Sequence, residues 1–331
     1  MNLGLIYKNF AAWQGISHIG LGVAAQLNSD YLIAKGHMVD VIAARNNIDV
    51  VDAIRKSAYD LIVISAPWLK PLDVHTMTQA FPKIRFIINC HSNVGFLQAD
   101  PGGITLLRTY IAMMKENPNL MVGANSLKFG RFMEIVWGIK VPVLPNMYSF
   151  TPPERVYGPL TKIKIGTFGA IRPQKNDLTA AATALVIQRF TRLPVEFSVS
   201  TGREDGGGNV ILSAIRQLSQ NIPEFHLLEH NWAHWTTFKQ VVAEQDMLIQ
   251  LSYTESFNLV TADGISVGVP SLVTDAIHWA PPFWKVEGDD AVKAAARACE
   301  MLENRHHMVK QGIGALQEHN RNAYALWKEW L

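Results

Sequence analysis

The sequence predicts two α/β domains, each built on a parallel sheet. Three observations carry that reading. The chain has 331 residues, too long for one ordinary core and suited to two domains of roughly 150 residues each. Short apolar runs alternate with helical stretches, first before residue 150 and again after residue 161, which is the pattern of βαβ units. Between the two series, prolines and polar residues replace the periodicity over residues 150–161 and mark a linker.

Residues 3–7 form a short apolar strand, 18–35 a helix closed by Gly36, and 38–43 a second strand. Residues 60–65 and 84–89 supply two more strands, with helices over 49–56 and 73–81 between them. After the linker, strands are predicted at 162–168, 195–200, 225–228, 247–251 and 271–274, separated by helices. The tail at 311–331 reads as a helix whose Leu316, Tyr324, Leu326, Trp327 and Trp330 require a surface to cover. The predicted divisions are therefore 1–155, 156–310 and 311–331.

Hydrophobic residues make up 48% and charged residues 18%, a composition that excludes a disordered chain. No apolar run approaches the roughly 20 residues needed to span a bilayer, and the N-terminus lacks the basic start of a signal peptide. The expected location is the cytoplasm, with peripheral attachment to a membrane surface left open. Cys90 and Cys299 are too few for a disulfide framework or a cysteine-based zinc site. A net charge of +2 announces no nucleic-acid or anionic-membrane partner. The first 160 residues hold 14 basic and 10 acidic side chains against 16 and 18 in the rest, so the first half is mildly basic.

Ligands of open parallel sheets bind beyond the carboxyl ends of strands, and four such places stand out. In the first, Gly169, Arg172 and Lys175 run off a strand toward a helix near Asp177. Cations there oppose the helix macrodipole by about 0.3–1 kcal/mol each, which suggests an intervening anion; a solvated turn is the alternative. On this reading, removing both cations raises the stability of the unliganded chain slightly. In the second, Glu255 precedes a helix expected to begin near Phe257, whose free amides suit a phosphate, and Asp263 lies about two turns in. Carboxylates accept hydrogen bonds from paired hydroxyls; alternatively Glu255 complements the dipole and Asp263 is a solvated helix residue. The third place is His91, directly after a strand. The fourth is the loop with Trp13, Gln14 and Gly15, where glycine permits close backbone approach. Gly20 and Gly22 fall inside the helix and make no dinucleotide fingerprint. His226, His230 and His234 share no helical face, so structural roles are expected and no metal site is assigned.

The run Glu255-Ser256-Phe257-Asn258-Leu259-Val260, then Asp263-Gly264, then Gly268-Val269-Pro270 and a strand, resembles the donor-site signature of retaining GT-B glycosyltransferases, glycosyltransferase family four in particular. That signature is a Glu, seven residues and a second Glu, followed by Gly-x-Pro. Residues 162–176 resemble the family's opening strand and basic loop, Asn89-Cys90-His91-Ser92 its histidine turn, and Pro145-Asn146 its entry to the linker. Two positions depart: Asp263 stands where the family usually has Glu, and Asn258 where glycine is common.

The resemblance implies two facing Rossmann-like domains, a cleft between them, and a C-terminal helix crossing back to the first. It implies transfer of a hexose from a nucleotide diphosphate sugar, UDP favoured and GDP second, to a glycan, glycolipid or other hydroxyl acceptor. Arg172 and Lys175 would neutralise the diphosphate with help from Gly169 and amides at Ser256, Phe257, Asn258 and Leu259. Glu255 would bind sugar hydroxyls, Asp263 the ribose, His91 the sugar or the transferring centre, and Gly15 the phosphates. The nucleotide sugar is then a co-substrate, and no cofactor or metal is expected. Three other readings stay open: a glycosyltransferase acting on hydroxymethylated DNA bases, a sugar-nucleotide epimerase, and an inactive nucleotide-sugar-binding module.

Overall fold

The computed structural model describes residues 1–9, 20–98 and 100–331. The chain divides into two compact units, Met1–Ser149 with His319–Leu331, and Phe150–Glu318.

The first unit is a five-stranded parallel sheet of β1 (Asn2–Lys8), β2 (Met38–Ala44), β3 (Leu61–Ser65), β4 (Arg85–Cys90) and β5 (Leu120–Ala124). Its order is β2-β1-β3-β4-β5. The helices are α1 (Gly20–Ala34), α2 (Asn47–Lys56), α3 (Pro71–Ala80), α4 (Val94–Leu97), α5 (Pro101–Met113) and α6 (Leu127–Trp137). All of β3 is buried, as expected for a strand covered on both faces. Successive side chains of a strand point to opposite faces: Ile62 and Ile64 join a core with Phe86, Ile88 and Phe129, whereas Leu61 and Val63 join one with Leu3, Leu5, Ile87 and Trp327.

The second unit repeats the architecture with β6 (Ile163–Thr167), β7 (Val195–Ser200), β8 (Phe225–His230), β9 (Met247–Gln250) and β10 (Ser271–Val273), ordered β10-β9-β6-β7-β8. Its helices are α7 (Asp177–Thr191), α8 (Gly208–Leu218), α9 (Trp235–Ala243), α10 (Leu259–Ser266), α11 (Ala291–Glu303) and the start of α12 (Arg305–Lys328). Residues 149–160 carry no regular secondary structure. In this unit Arg155 donates to the Gln245 carbonyl at 2.9 Å and the Tyr157 hydroxyl to the Gly268 carbonyl at 2.7 Å.

From His319 onward α12 belongs to the first unit. There Trp327 is 1% exposed and donates through Nε1 to the Pro145 carbonyl at 2.9 Å, and Asn320 pairs both ways with the Tyr148 backbone at 2.8 Å. Trp330 and Tyr324 pack on the same cluster.

Each sheet reverses its strand order once. In the first unit the reversal lies between β1 and β3, in the second between β6 and β9. Such a switch point opens a crevice at the carboxyl ends of the two strands, where ligands of open α/β sheets bind.

The structure adds elements that hydrophobic patterning does not mark: β5, whose five residues include Gly123, and α4 to α6. α2 begins at Asn47 because Asn46 caps it by accepting from the Asp49 amide at 3.0 Å. β8 continues to His230, two residues past the expected end. The tail helix starts at Arg305, ahead of the expected 311. Among the described residues no helix is long and apolar enough to cross a membrane.

Candidate functional site

The loops that leave β6 and β9 flank the switch point of the second unit. Gly169 opens the first at φ +120°, a backbone region closed to side-chain-bearing residues at low cost. Arg172 then precedes the single turn Pro173–Lys175, and Asn176 at φ +58° leads into α7. The two loops are tied together by backbone and amide bonds. The Tyr253 amide donates to the Gln174 carbonyl at 2.9 Å, and Asn176 Nδ2 donates to the Leu251 carbonyl at 3.2 Å and to that of Gly288.

This brings Lys175 onto Glu255. Lys175 Nζ lies 2.5 Å from Glu255 Oε1, with the two side chains only 12% and 10% exposed. The same oxygen accepts from Ser252 Oγ at 2.8 Å and Asn258 Nδ2 at 2.9 Å. Burial pushes the Glu255 carboxyl up, but the Lys175 ammonium and the donors from Lys175, Ser252 and Asn258 outweigh it and hold the group below the ordinary carboxylate range. The expectation that removing the two cations stabilises the chain is therefore corrected for Lys175. It compensates a buried carboxylate, and breaking such a pair is destabilising. A pocket of about 440 Å³ opens beside Ser252, lined also by Tyr253, Thr274, Lys285 and Gly288.

α10 begins at Leu259, two residues after the expected start at Phe257. Phe257 is instead a core anchor, 2% exposed and stacked on Trp279 at 5.2 Å. Asn258 is the N-cap at φ +67°, accepting from the Thr261 amide at 2.8 Å. Glycine adopts that conformation freely, and asparagine is among the few other residues that tolerate it. The side chain adds what glycine lacks, a donor to Glu255 Oε1 and, at 3.3 Å, to Gln250 Oε1. Ser256 and Leu259, both partly buried, flank the same turn.

Asp263 is the fifth residue of α10, little more than one turn in, and is 2% exposed. The solvated alternative for this residue is thereby corrected. Its Oδ1 accepts from the Trp235 indole at 2.8 Å, a partner on α9 that sequence spacing does not suggest. The Gly-x-Pro signature also acquires a local cause: Gly268 closes α10 at φ +78°, and a Cβ there would lie 3.0 Å from Arg155 Cδ.

Beneath the basic loop, Asp177 is 6% exposed and takes a hydrogen bond from Thr167 Oγ1 at 3.3 Å. Burial raises its carboxyl to about 6, with Lys175, Thr167 and Arg172 opposing.

In the first unit His91 follows β4 and is half-buried. The β4–β5 register pairs Cys90 with Ala124, so the next residues, His91 and Asn125, lie side by side, with Asn125 Nδ2 2.8 Å from His91 Nδ1. Burial lowers the imidazole to about 4, so it is neutral near pH 7. Gly15, with Trp13 and Gln14, lies outside the described residues.

Acidic residues with one residue between them, the spacing of a metal–diphosphate clamp, occur at Glu244 and Asp246 and at Glu287 and Asp289. Asp246 is engaged by Arg305 at 2.5 Å, and among the described residues no three His, Cys, Asp or Glu side chains converge as metal ligands. His230 faces Ser198 Oγ at 3.1 Å.

No protein-family model matches the chain, and no curated protein matches it. Solved structures do. Sucrose-phosphate synthase from Thermosynechococcus elongatus superposes with a TM-score of 0.70 at 14% identity, over 99% of this chain and 98% of that one. An α,α-trehalose-phosphate synthase from Burkholderia xenovorans gives 0.66 at 11%, over 100% and 99%. S. aureus TarM gives 0.60 at 12%, over 86% and 58%. The chain has the GT-B fold.

Each half of this GT-B chain carries part of the sequence-derived residue set. The second unit brings Gly169, Lys175, Glu255 and Asn258 together at its switch point, with Arg172 in the same loop and Asp263 on the adjoining helix. The first unit holds His91 on its own Asn125. Trp235 and Asn125 are not marked by the sequence because their partners, Asp263 and His91, lie 28 and 34 residues away, whereas Ser252 reaches Glu255 from three residues away within the same loop. The signal available for Asn258 was its substitution for glycine, which pointed to the position without revealing the bond to Glu255.

Proposed function

We propose that this chain is a retaining glycosyltransferase that moves a hexose from a nucleotide diphosphate sugar, a UDP-sugar before a GDP-sugar, to a hydroxyl acceptor. The observation that carries this reading is the Lys175–Glu255 pair at the switch point of a GT-B unit. It sets a cation and a carboxylate together where a phosphate and a sugar hydroxyl would each need one. The neighbours' names agree: the Burkholderia xenovorans enzyme is UDP-forming and was solved with glucose-6-phosphate, and TarM was solved with UDP. A glycan, a glycolipid or a phosphorylated sugar fits the acceptor role.

In the resting site Lys175 neutralises Glu255. An incoming diphosphate takes over the ammonium, with Arg172 beside it, and leaves Glu255 to accept hydrogen bonds from sugar hydroxyls. Negative charge grows on the diphosphate as the anomeric bond breaks, and these cations with the amides at the start of α10 stabilise it. The acceptor attacks from the face the diphosphate leaves, and a phosphate oxygen takes its proton. In the first unit, His91 offers a neutral hydrogen-bonding group to a substrate.

The test is donor turnover with UDP- and GDP-hexoses against a panel of sugar phosphates, glycans and lipid-linked sugars, with the product anomer read by NMR. Acceptor-dependent UDP release with a retained anomer is expected, lost in Glu255→Gln. An inverted product would overturn the retaining assignment. Release of no nucleotide from any donor would overturn the transferase reading.

A further inference from the structure

Pro145-Asn146 is a motif that the donor site leaves unused, and three buried asparagines around it carry an argument about His91. Asn28, Asn125 and Asn146 are 5%, 1% and 5% exposed. Their amide orientations follow one from another, starting at a backbone donor whose role is unambiguous. The Met147 N–H donates at 2.6 Å, so the Asn28 atom facing it is Oδ1. Asn28 then turns Nδ2 toward Asn146 at 3.5 Å, so Asn146 answers with Oδ1. Asn125 lies 2.9 Å from that oxygen and so presents Nδ2, and the same Nδ2 reaches His91 Nδ1 at 2.8 Å. An amide N–H cannot accept a hydrogen bond, so Nδ1 is the acceptor and the ring proton of a neutral imidazole sits on Nε2.

Nε2 is withdrawn from solvent and meets no partner among the described residues. A buried donor without a partner is costly to leave unmade, and an acceptor oxygen supplied from outside would complete it.

We propose that Asn125, held by Asn146 and Asn28, is a positioning residue that locks His91 as its Nε2–H tautomer, so that His91 serves as a hydrogen-bond donor to a substrate oxygen. The tautomer itself needs no substrate; its use rests on the transferase reading above. His319 Nε2 against the Asn146 carbonyl at 2.8 Å, and Trp327 against that of Pro145, brace the motif from α12. The Pro-Asn motif thus has a chemical task at a distance.

The test is ¹⁵N NMR of the full chain with labelled histidine at pH 7.5, the His91 signals identified by their loss in His91→Gln. An unprotonated Nδ1 and a protonated Nε2 are expected in the wild type. Asn125→Asp replaces the donor by an acceptor and is expected to move the proton to Nδ1 and lower kcat more than it raises the donor KM; Asn125→Ala is expected to give tautomer averaging. A wild-type His91 protonated on Nδ1 would overturn the proposal whether or not any variant folds. So would an Asn125→Asp chain that keeps the wild-type spectrum. If the expected spectrum is found and no donor is turned over, the tautomer lock stands and the functional reading fails.

Discussion

Lys175 and Glu255 show how burial changes the meaning of a charged residue. Read along the chain, Lys175 is a cation opposing a helix dipole; in the fold it is the counter-charge of a carboxylate with 10% of its surface exposed. Lys175→Met is therefore expected to destabilise the chain by roughly 3 kcal/mol in urea titration. Lys175→Met with Glu255→Gln should recover most of that loss, because no uncompensated charge remains. A single variant as stable as the wild type would show that the pair is not coupled. Asn258 gives a second test. Asn258→Gly keeps the φ of +67° without strain and loses the cap and the donor to Glu255, about 1 kcal/mol. Asn258→Ala adds the left-handed penalty of about 1–2 kcal/mol and should melt lower than the glycine variant. The reverse order would remove the assignment of that backbone conformation as the reason for the residue. The departure from glycine marks the position of Asn258; its bond to Glu255 is local, three residues back, but the Lys175 that shares that oxygen comes from a loop 80 residues away.

Burial alone does not decide which strands are legible: β2 and β8 read as strands although mostly unburied, whereas β5, buried at all but Met121, does not. β3 opens on four consecutive aliphatic residues and β4 carries Phe86-Ile87-Ile88 at its centre, so both read directly; β5 is interrupted by Gly123 and follows Asn117 and Asn119, so its strand character comes from pairing with β4. Both switch-point loops could be located because each follows a legible strand. Asp177, the first residue of α7, carries an element-scale consequence in its pH response. Burial raises its carboxyl from 3.8 to about 6, so the unfolded chain ionises before the folded one. Its contribution to stability is then intact below pH 3.8 and is lost as pH rises through about 6. Asp177→Asn, which keeps an acceptor for Thr167, should match the wild type near pH 4 and exceed it by up to about 3 kcal/mol above pH 7. A stability difference that does not grow across that window would contradict the buried-carboxylate account.

At the scale of the whole molecule, the tail's aromatic residues announced a need for cover, and residues 319–331 meet it within the first unit. Trp327→Ala should cost about 3–5 kcal/mol, because it opens the core beside Leu3 and Leu5 and orphans the Pro145 carbonyl. Calorimetry that resolves the two units should place that loss in the first, and a loss confined to the second would contradict the assignment. The central claim, that the second unit's switch point takes a nucleoside diphosphate, is tested most directly by titrating the full chain with UDP and with uridine, in the wild type and in Arg172→Ala. We expect UDP to bind at least about tenfold tighter, or about 1.4 kcal/mol, with most of that margin lost in the variant while uridine binding is unchanged. Equal affinities for UDP and uridine in the wild type would contradict the account.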